Sequence, residues 1–287
     1  MNINIASGLY RYKISNLPAN VYHQLKLLYD DAACTSDDSW SDYALKIENT
    51  SLVRRLLRPQ CVVNVEGQLP FNPIAPAKIL PSIEWSLNWC VAAYEHQKLI
   101  FHSSVVAKNG QAILLPAVSG SGKTTLATYL GAHGWEMFSD ELAIIDLNSN
   151  LVNPVFRPAS LKNESIDIIR KSCPSVTFSD VTTATHKGDI AHAKLYTQKQ
   201  FRTFNKCPVQ AVVFPKYVAL SNTRVMTLSQ AEGFASLTRQ GFNYNVLGSE
   251  GFNTLAAVAT SCRFYYVEYS DLADMSELLS EVLADQC

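Results

Sequence analysis

Apolar and polar residues alternate in several stretches of the first third of the chain. Because successive side chains of a strand point to opposite faces of a sheet, this alternation predicts half-buried strands. We expect these strands at Gly8–Ile14, Tyr43–Ile47 and Cys61–Val65. The Ser- and Asp-rich stretch 33–42 predicts a loop, and Pro81 suits the first turn of a helix that runs to about His96.

Beyond this helix the pattern changes to short, fully apolar runs that are separated by polar turns and by segments with helical periodicity. Such runs are typical of strands that are buried on both faces of an α/β sheet. We expect strands at Leu99–Val106, Ala112–Leu115, Trp135–Phe138, Val209–Phe214 and Arg263–Tyr269. We expect helices near 158–170, 230–238 and 252–260, and from Leu272 onward. The order of these elements predicts an α/β fold.

A glycine-rich segment follows the apolar strand Ala112–Leu115 and leads into a helix. Its sequence fits the phosphate-loop pattern G-x-x-x-x-G-K-[ST], except that Ala117 replaces the first glycine. Backbone N–H groups at a helix start attract an anion, and glycines allow the backbone to approach it closely. We expect the phosphates of ATP to lie on Ser119, Gly120, Ser121, Gly122, Lys123, Thr124 and Thr125. Lys123 would reach the β- and γ-phosphates, and the Thr124 hydroxyl would ligate Mg²⁺.

Two acidic residues, Asp140 and Glu141, follow the predicted strand Trp135–Phe138. If the helix after the phosphate loop joins this strand in parallel to the strand before the loop, both strands end at the same edge of the sheet. The two carboxylates then lie beside the γ-phosphate. One of them can hold the metal, directly or through water, and the other can accept a proton from an attacking hydroxyl.

Polar residues in the second half are candidates for contacts with the transferred phosphate or the substrate. Arg157 and Lys162 are cations that could stabilise the charge that develops during phosphoryl transfer, or they could be solvated beside a helix cap. Lys216 falls at the carboxyl end of a strand if Val209–Phe214 joins the same parallel sheet. The candidate substrate residues are Lys162, Asn163, His186, Lys187, Lys216 and Asn243.

The segment from Phe101-His102-Ser103 through the phosphate loop to Ser139-Asp140-Glu141 resembles the catalytic core of HPr kinase/phosphorylase, and the whole chain resembles the HPr-kinase-related subgroup A. In that family a histidine opens the strand pair before the loop, and an Asp-Asp pair follows the loop helix. The resemblance implies a P-loop core of the HPr kinase/PEP carboxykinase type at residues 81–287. A smaller mixed α/β region at residues 1–80 would pack on this core.

The resemblance also implies roles for individual residues. His102 takes the place of the family histidine near the phosphates, Asp140 takes the acid/base role, and Glu141 takes the place of the acid that helps to hold the metal. Residues 1–80 do not match the family's N-terminal domain, and the family's HPr-docking helix motif has no counterpart that we can place. We therefore expect an acceptor other than HPr, and the two departures from the family pattern, Ala117 and Glu141, argue against reversible phosphorolysis.

Composition and charge narrow the range of partners. The 287 residues are 47% apolar and carry a formal net charge of -1, which argues against a protein that neutralises many nucleic-acid phosphates. No apolar run approaches the ~20 residues that span a bilayer, and the first residues lack the pattern of a signal peptide. We expect a cytoplasmic protein with no membrane partner. The seven cysteines contain no C-x-x-C pair, which favours scattered reduced thiols.

These features predict a Mg·ATP-dependent kinase that transfers the γ-phosphate to a hydroxyl group. The expected catalytic residues are Asp140, His102, Lys123 and Arg157, and the expected metal ligands are Thr124, Glu141 and Asp140. The resemblance favours a serine of a peptide or small protein as the acceptor, and it allows for a homo-oligomer. One alternative is a kinase that acts on the hydroxyl of a metabolite or sugar. Another is an ATP-binding switch or assembly factor that hydrolyses ATP slowly or not at all.

Overall fold

The computed structural model describes residues 1–29, 33–34, 40–50, 59–118 and 120–284. The strands are β1 Ile3–Ser7, β2 Tyr10–Ser15, β3 Ala33–Cys34, β4 Tyr43–Asn49, β5 Cys61–Val65, β6 Lys98–Lys108, β7 Gln111–Pro116, β8 Glu136–Ser139, β9 Leu142–Asp146, β10 Val152–Asn153, β11 Ala159–Lys162, β12 Thr177–Phe178, β13 Thr182–Thr185, β14 Gly188–Lys194, β15 Val209–Tyr217, β16 Arg224–Leu228 and β17 Arg263–Tyr269. The helices are α1 Ala19–Tyr29, α2 Ile79–Tyr94, α3 Lys123–Ala132, α4 Glu164–Ser172, α5 Gln198–Phe201, α6 Gln230–Thr238, α7 Tyr244–Ser261 and α8 Leu272–Ala284, and Pro76–Lys78 forms a 3₁₀ turn. The predicted α/β class is confirmed.

The chain forms two compact units, each of which is discontinuous in sequence. The first unit comprises Met1–Tyr94, Val155–Arg170 and Ser175–Thr203, and the second comprises Glu95–Pro154, Lys171–Pro174 and Phe204–Cys287. This division differs from the sequence-based division at residue 80. Helix α2 and strands β11 to β14 belong to the first unit together with the N-terminal residues.

The first unit contains two sheets. Strands β3, β1, β2, β4 and β5 form one sheet in that order, and β14 pairs with β11, β12 and β13 in the other. The predicted strand Gly8–Ile14 begins instead at Tyr10, because Gly8 adopts a left-handed conformation (φ 71°) in the turn after β1. Helix α1 was not predicted. Of the predicted loop 33–42, residues 35–39 lie outside the described residues, and Ala33–Cys34 form the short strand β3 instead of a loop.

The second unit is built on one sheet with the strand order β10-β9-β6-β7-β15-β17-β16, and β8 also pairs with β6. Strand β6 runs antiparallel to β7, β8 and β9, whereas β15 runs parallel to both β7 and β17. Strands β7, β8, β15 and β17 therefore point the same way. The prediction that the strands on either side of the loop helix end at one edge is confirmed, with β6 lying between them.

Strand β15 continues through Pro215 to Tyr217, although the sequence predicted that it ends at Phe214. Pairing with β7 stops at Val212, while pairing with β17 continues to Tyr217. The Tyr217 N–H points to the β7 side, where it donates to the Ser121 carbonyl at 2.9 Å. Because backbone groups alternate along a strand, the nitrogen of Pro215 faces the same side, beyond the last paired residue of β7. The missing proline N–H therefore breaks no hydrogen bond of the sheet.

One core of the second unit consists of apolar residues from a single face of this sheet and from the helices that cover it. Fully buried members include Leu99, Phe101, Leu114 and Phe138, and helices α6 and α7 contribute Leu237 and Leu255. Helix α7 starts eight residues before the predicted helix 252–260 and is kinked at Gly248, whose φ is 57°. That kink interrupts the helical periodicity, which is why the sequence pattern predicted only the part after it.

The predictions for the cysteines and for membrane-spanning segments can be compared with the described residues. The cysteines with described side chains are free and buried: Cys61, Cys90, Cys173, Cys207 and Cys262. This agrees with the prediction of scattered reduced thiols. Within the described ranges, none of the helices combines the length and the apolar character needed to cross a membrane.

Candidate functional site

The glycine-rich loop connects β7 to helix α3 at the sheet edge where the parallel strands end. Gly120 and Gly122 both have left-handed backbones, with φ values of 90° and 87°. A Cβ atom at Gly122 would lie 2.6 Å from the Tyr269 hydroxyl and 3.0 Å from the Tyr217 Cβ. The loop therefore requires glycine at this position for both conformational and steric reasons. The predicted phosphate-binding residue Ser119 lies outside the described residues.

The groups at the start of α3 suit an anion. Lys123, the first residue of the helix, is 7% exposed in its side chain, and no side chain caps the helix at Gly122. Within the described residues, the buried Ser121 hydroxyl has no hydrogen-bond partner. A buried hydroxyl without a partner, next to a lysine and to the positive end of a helix, is what a phosphate group would satisfy. Thr124 and Thr125 follow within α3, half-buried, as the loop pattern requires.

His102 and Glu141 meet beside this loop. His102 lies in β6, and Glu141 lies in the two-residue bend between β8 and β9, which run one after the other along β6. The His102 Nε2 is 3.0 Å from the Glu141 Oε2, and the Lys123 Nζ is 4.0 Å from the same oxygen. The Glu141 side chain is 26% exposed, so an incoming group can reach its carboxylate. The structure thus brings together three of the predicted site residues.

Asp140 has a different environment from Glu141. It is 2% exposed, and the Ser104 hydroxyl donates to its main-chain oxygen at 2.5 Å and lies 3.3 Å from its Oδ1. The resemblance implies the proton-accepting role for Asp140, and either Glu141 or Asp140 was expected to hold the metal with Thr124. Exposure favours the reverse assignment, because a general base must reach the hydroxyl proton of a bound substrate.

The residue types that the sequence predicts as metal ligands, a threonine hydroxyl and carboxylates, are oxygen donors of the kind that Mg²⁺ takes. Among the described residues, no three His, Cys, Asp or Glu side chains are grouped so that they could hold a metal ion. Mg²⁺ at phosphate sites typically takes one or two carboxylates and completes its shell with waters and phosphate oxygens. Thr124 with one carboxylate of the acidic pair is a set of that kind.

Two further features lie at this edge. Tyr217 and Tyr269 end the neighbouring strands β15 and β17, and the Tyr269 hydroxyl lies 3.3 Å from the Gly122 carbonyl oxygen. The segment 240–242 pairs with β6, and the ring of Phe242 lies 5.8 Å from that of His102. Tyr217 follows Lys216 at the strand end that the sequence already indicated, and Tyr269 could have been found from the same rule, because its strand was also predicted. The contact of Phe242 with His102 has no signal in the sequence.

Lys216 and Asn243 are predicted substrate residues of the second unit. Strand β15 joins the parallel sheet, so Lys216 does fall near a carboxyl end, but its exposed amine pairs with Glu268 at 3.0 Å. Asn243 is 1% exposed, and its amide binds backbone atoms of Ile100, Glu95 and Lys98. Those bonds use its side-chain donors and acceptor, which gives Asn243 a structural role instead of the expected contact with substrate.

Arg157, predicted to stabilise the transferring phosphate, lies in the first unit. Its Nη2 is 2.6 Å from the Glu84 Oε2, and its Nη1 donates to the Asn88 Oδ1 at 3.0 Å. Tyr29 donates to the same carboxylate at 3.0 Å, and burial raises the pKa of Tyr29 well above its usual value. The charge of Arg157 is thus neutralised inside a buried network. This corrects the catalytic role expected for it, since an arginine that serves phosphate must keep its donors available.

The remaining predicted substrate residues come together in the first unit. Lys162 and Asn163 end β11, and His186 and Lys187 lie in the turn between β13 and β14. The Asn163 Oδ1 accepts the N–H of Asp189 at 3.0 Å, which joins the two segments. Two stretches that are far apart in sequence therefore form one polar cluster.

Comparisons with known proteins give a distant structural similarity. No family model matches the chain, and no curated protein matches it. Among solved structures, the Hpr(Ser) kinase/phosphatase from Coxiella burnetii is similar over 65% of this chain and 94% of that chain, with 11% sequence identity and a TM-score of 0.30. The relationship to this enzyme is therefore remote.

Proposed function

We propose that this protein is a kinase that transfers the γ-phosphate of ATP to a hydroxyl group in the presence of Mg²⁺. The observation that carries the proposal is the phosphate loop, in which the buried Ser121 hydroxyl and the side chain of Lys123 lie at the start of α3. The His102–Glu141 pair lies next to it, 4.0 Å from the Lys123 Nζ. A phosphate-binding loop beside an accessible carboxylate is the arrangement that phosphoryl transfer to a hydroxyl requires.

Each residue at the site has a proposed task. The N–H groups of the loop and Lys123 hold the β- and γ-phosphates, and Thr124 and Asp140 hold the metal. Mg²⁺, when bound, neutralises charge on the phosphate oxygens. The acceptor oxygen forms a bond to the γ-phosphorus while the bond to the β–γ bridging oxygen breaks and ADP leaves. Glu141 accepts the hydroxyl proton, and His102 orients its carboxylate through the 3.0 Å contact.

A serine of a peptide or small protein is the proposed acceptor. Three side chains around the polar centre are apolar or aromatic and exposed: Val118 by 71%, Tyr217 by 49% and Phe242 by 49%. Exposed apolar groups that surround a polar site are typical of surfaces that a macromolecular partner covers. A small polar metabolite would leave most of this apolar surface in water.

The test is release of ADP from Mg·ATP, measured with and without cell-extract fractions separated by size. The proposal expects turnover that depends on a fraction of peptide or protein size. Glu141→Gln should lower kcat by about 10²- to 10⁴-fold, the range for a general base. Glu277→Gln, which makes the same change at an exposed position of α8 in the same unit, should leave kcat unchanged.

Thermal stability separates binding from chemistry in the same variants. Nucleotide at 100 times its Kd adds about 2.7 kcal/mol to the free energy of unfolding, and Glu141→Gln should retain that gain. Turnover with only the small-molecule fraction would indicate a metabolite kinase. Stabilisation by ATP without turnover in any fraction would indicate a nucleotide-binding switch, and full turnover by Glu141→Gln would refute the proton-accepting role.

A further inference from the structure

The first unit carries a cluster of cationic side chains that the proposed reaction does not use. We define the cationic patch as the ammonium groups of Lys78, Lys162 and Lys187 around the indole of Trp85, with the imidazole of His186 beside them. The Lys187 Nζ lies 4.8 Å from the centre of the Trp85 ring, and the His186 ring centre lies 4.7 Å from the ring of Trp85. His186 and Lys187 are exposed, and the other three side chains are half-buried.

The backbone holds the elements of the patch together. The Lys78 ammonium donates to the Ala184 carbonyl, which connects the 3₁₀ turn to β13. The Asn163 N–H donates to the Asp189 carbonyl at 2.9 Å, which connects the end of β11 to β14. Gly188, with φ 89°, turns the chain between β13 and β14 where a Cβ would collide with the Asn163 amide. The cations are therefore presented from three elements that are joined to one another.

The patch has an excess of positive charge. Burial lowers the pKa of His186, and the charges of Lys187, Lys162 and Lys78 lower it further. The ion pairs found within the described part of the chain place no carboxylate within 4.0 Å of Lys78 or Lys162. The Asp189 carboxylate accepts the Ala184 N–H at 2.9 Å, so it is engaged within its own hairpin.

We propose that the cationic patch is a docking surface for an acidic segment of a protein partner. Because the charges are spread over three elements of an exposed surface, several carboxylates of an extended segment can each approach a cation. The face of Trp85 offers apolar contact to the methylene groups of such side chains. The near-neutral net charge of the chain disfavours general binding of nucleic acid. The inference does not depend on phosphoryl transfer.

The test measures binding of a fluorescein-labelled oligoglutamate peptide to the full-length protein by fluorescence anisotropy at low salt. The patch variant is Lys162→Gln/Lys187→Gln. The matched control is Lys26→Gln/Lys199→Gln, which removes the same charge from exposed positions of the same unit. An oligoglutamine peptide and a labelled oligothymidine are run in parallel, and thermal unfolding verifies that each variant is folded.

The proposal expects the Kd for oligoglutamate to rise about fivefold in the patch variant and to stay unchanged in the control, with weaker binding at high salt. Lys123→Met should bind the peptide like the wild type, so failure of the kinase proposal would leave this result unaffected. An equal loss in both double variants, or no binding of oligoglutamate, would overturn the proposal. Tighter, patch-dependent binding of oligothymidine would overturn it in favour of nucleic acid.

Discussion

Each unit of the protein holds a buried cation next to a carboxylate, and the two pairs differ in how tightly they are formed. In the first unit Arg157 and Glu84 are 8% and 3% exposed in their side chains and are 2.6 Å apart. In the second unit Lys123 is also buried, but its partner Glu141 is 26% exposed and 4.0 Å away. The carboxylate of Glu141 is shared with His102.

The difference fits a structural role for the first pair and the proposed phosphate-binding role for Lys123 in the second. In the first pair Arg157 also donates a hydrogen bond to Asn88, and Tyr29 donates one to Glu84, which offset the cost of removing both charges from water. Lys123 lies at the start of a helix, and its amine is 4.0 Å from the Glu141 carboxylate, so its charge can interact with an incoming phosphate. Four predictions test this comparison.

The largest expected effect is on stability and comes from Arg157→Met. Removing this cation leaves Glu84 charged and buried, and it should lower the free energy of unfolding by about 3–5 kcal/mol. Urea denaturation of the wild type and the variant measures the difference. The double variant Arg157→Met/Glu84→Gln removes both charges and should recover part of the loss. A loss below about 1 kcal/mol in the single variant would contradict the structural role.

The matching change in the second unit, Lys123→Met, should act on turnover instead. Loss of this interaction with the transferring phosphate should lower kcat/KM by about 10²- to 10³-fold, which corresponds to roughly 2.7–4 kcal/mol. Urea denaturation should give a free energy of unfolding close to that of the wild type. Lys108→Met is the control, because the Lys108 amine interacts with Trp135 and Ser280 instead. Equal losses of turnover in both variants would refute the assignment of Lys123.

Tyr29→Phe tests the hydrogen bonds around the structural pair. The Tyr29 hydroxyl lies 3.0 and 3.1 Å from the two oxygens of Glu84. Hydrogen bonds to charged groups contribute about 1.5–3 kcal/mol, so the free energy of unfolding should fall by that amount. Tyr22→Phe in the same helix, α1, should change stability little. If Tyr29→Phe and Tyr22→Phe were equally stable, the hydrogen bond from Tyr29 to Glu84 would make no measurable contribution to the free energy of unfolding.

The smallest effect concerns pH and His192, which faces Ser160 in the first unit. Burial and the charge of Arg157 lower the pKa of His192, whereas Glu84 opposes them. The unfolded state therefore binds a proton first, and stability falls as pH drops below about 6.5, by up to about 1.4 kcal/mol per pH unit. Both ring nitrogens lack hydrogen-bond partners within the described residues, so His192→Leu should cost little at pH 8.

A variant without His192 distinguishes protonation of this histidine from general acid unfolding of the protein. Denaturation curves of the wild type and His192→Leu at pH 5 and pH 8 should show a smaller loss of stability in the variant. Identical losses would mean that His192 is not the group that takes up the proton.

The local motifs could be predicted from the sequence, and the roles of isolated polar residues could not. The glycine-rich loop is encoded within a few residues, and its helix and the strand before it both form where they were expected. Arg157 and Asn243 stand in polar segments that resemble any substrate loop. The Arg157 side chain binds Glu84, and the Asn243 side chain binds the backbone of β6. The spacing of apolar and polar residues along the chain carries no information about such partners.

The sequence by itself determined the glycine-rich loop, because its conformation depends on Gly120 and Gly122 and on the helix that starts beside them. It also predicted that the strands on either side of this helix, if parallel, end at one edge of the sheet. Only the tertiary structure decided which charges meet. His102 contacts Glu141, which lies 39 residues later in the sequence, and Arg157 binds Glu84, which lies 73 residues earlier. Pairing across such distances depends on how strands and helices pack, which no local pattern specifies.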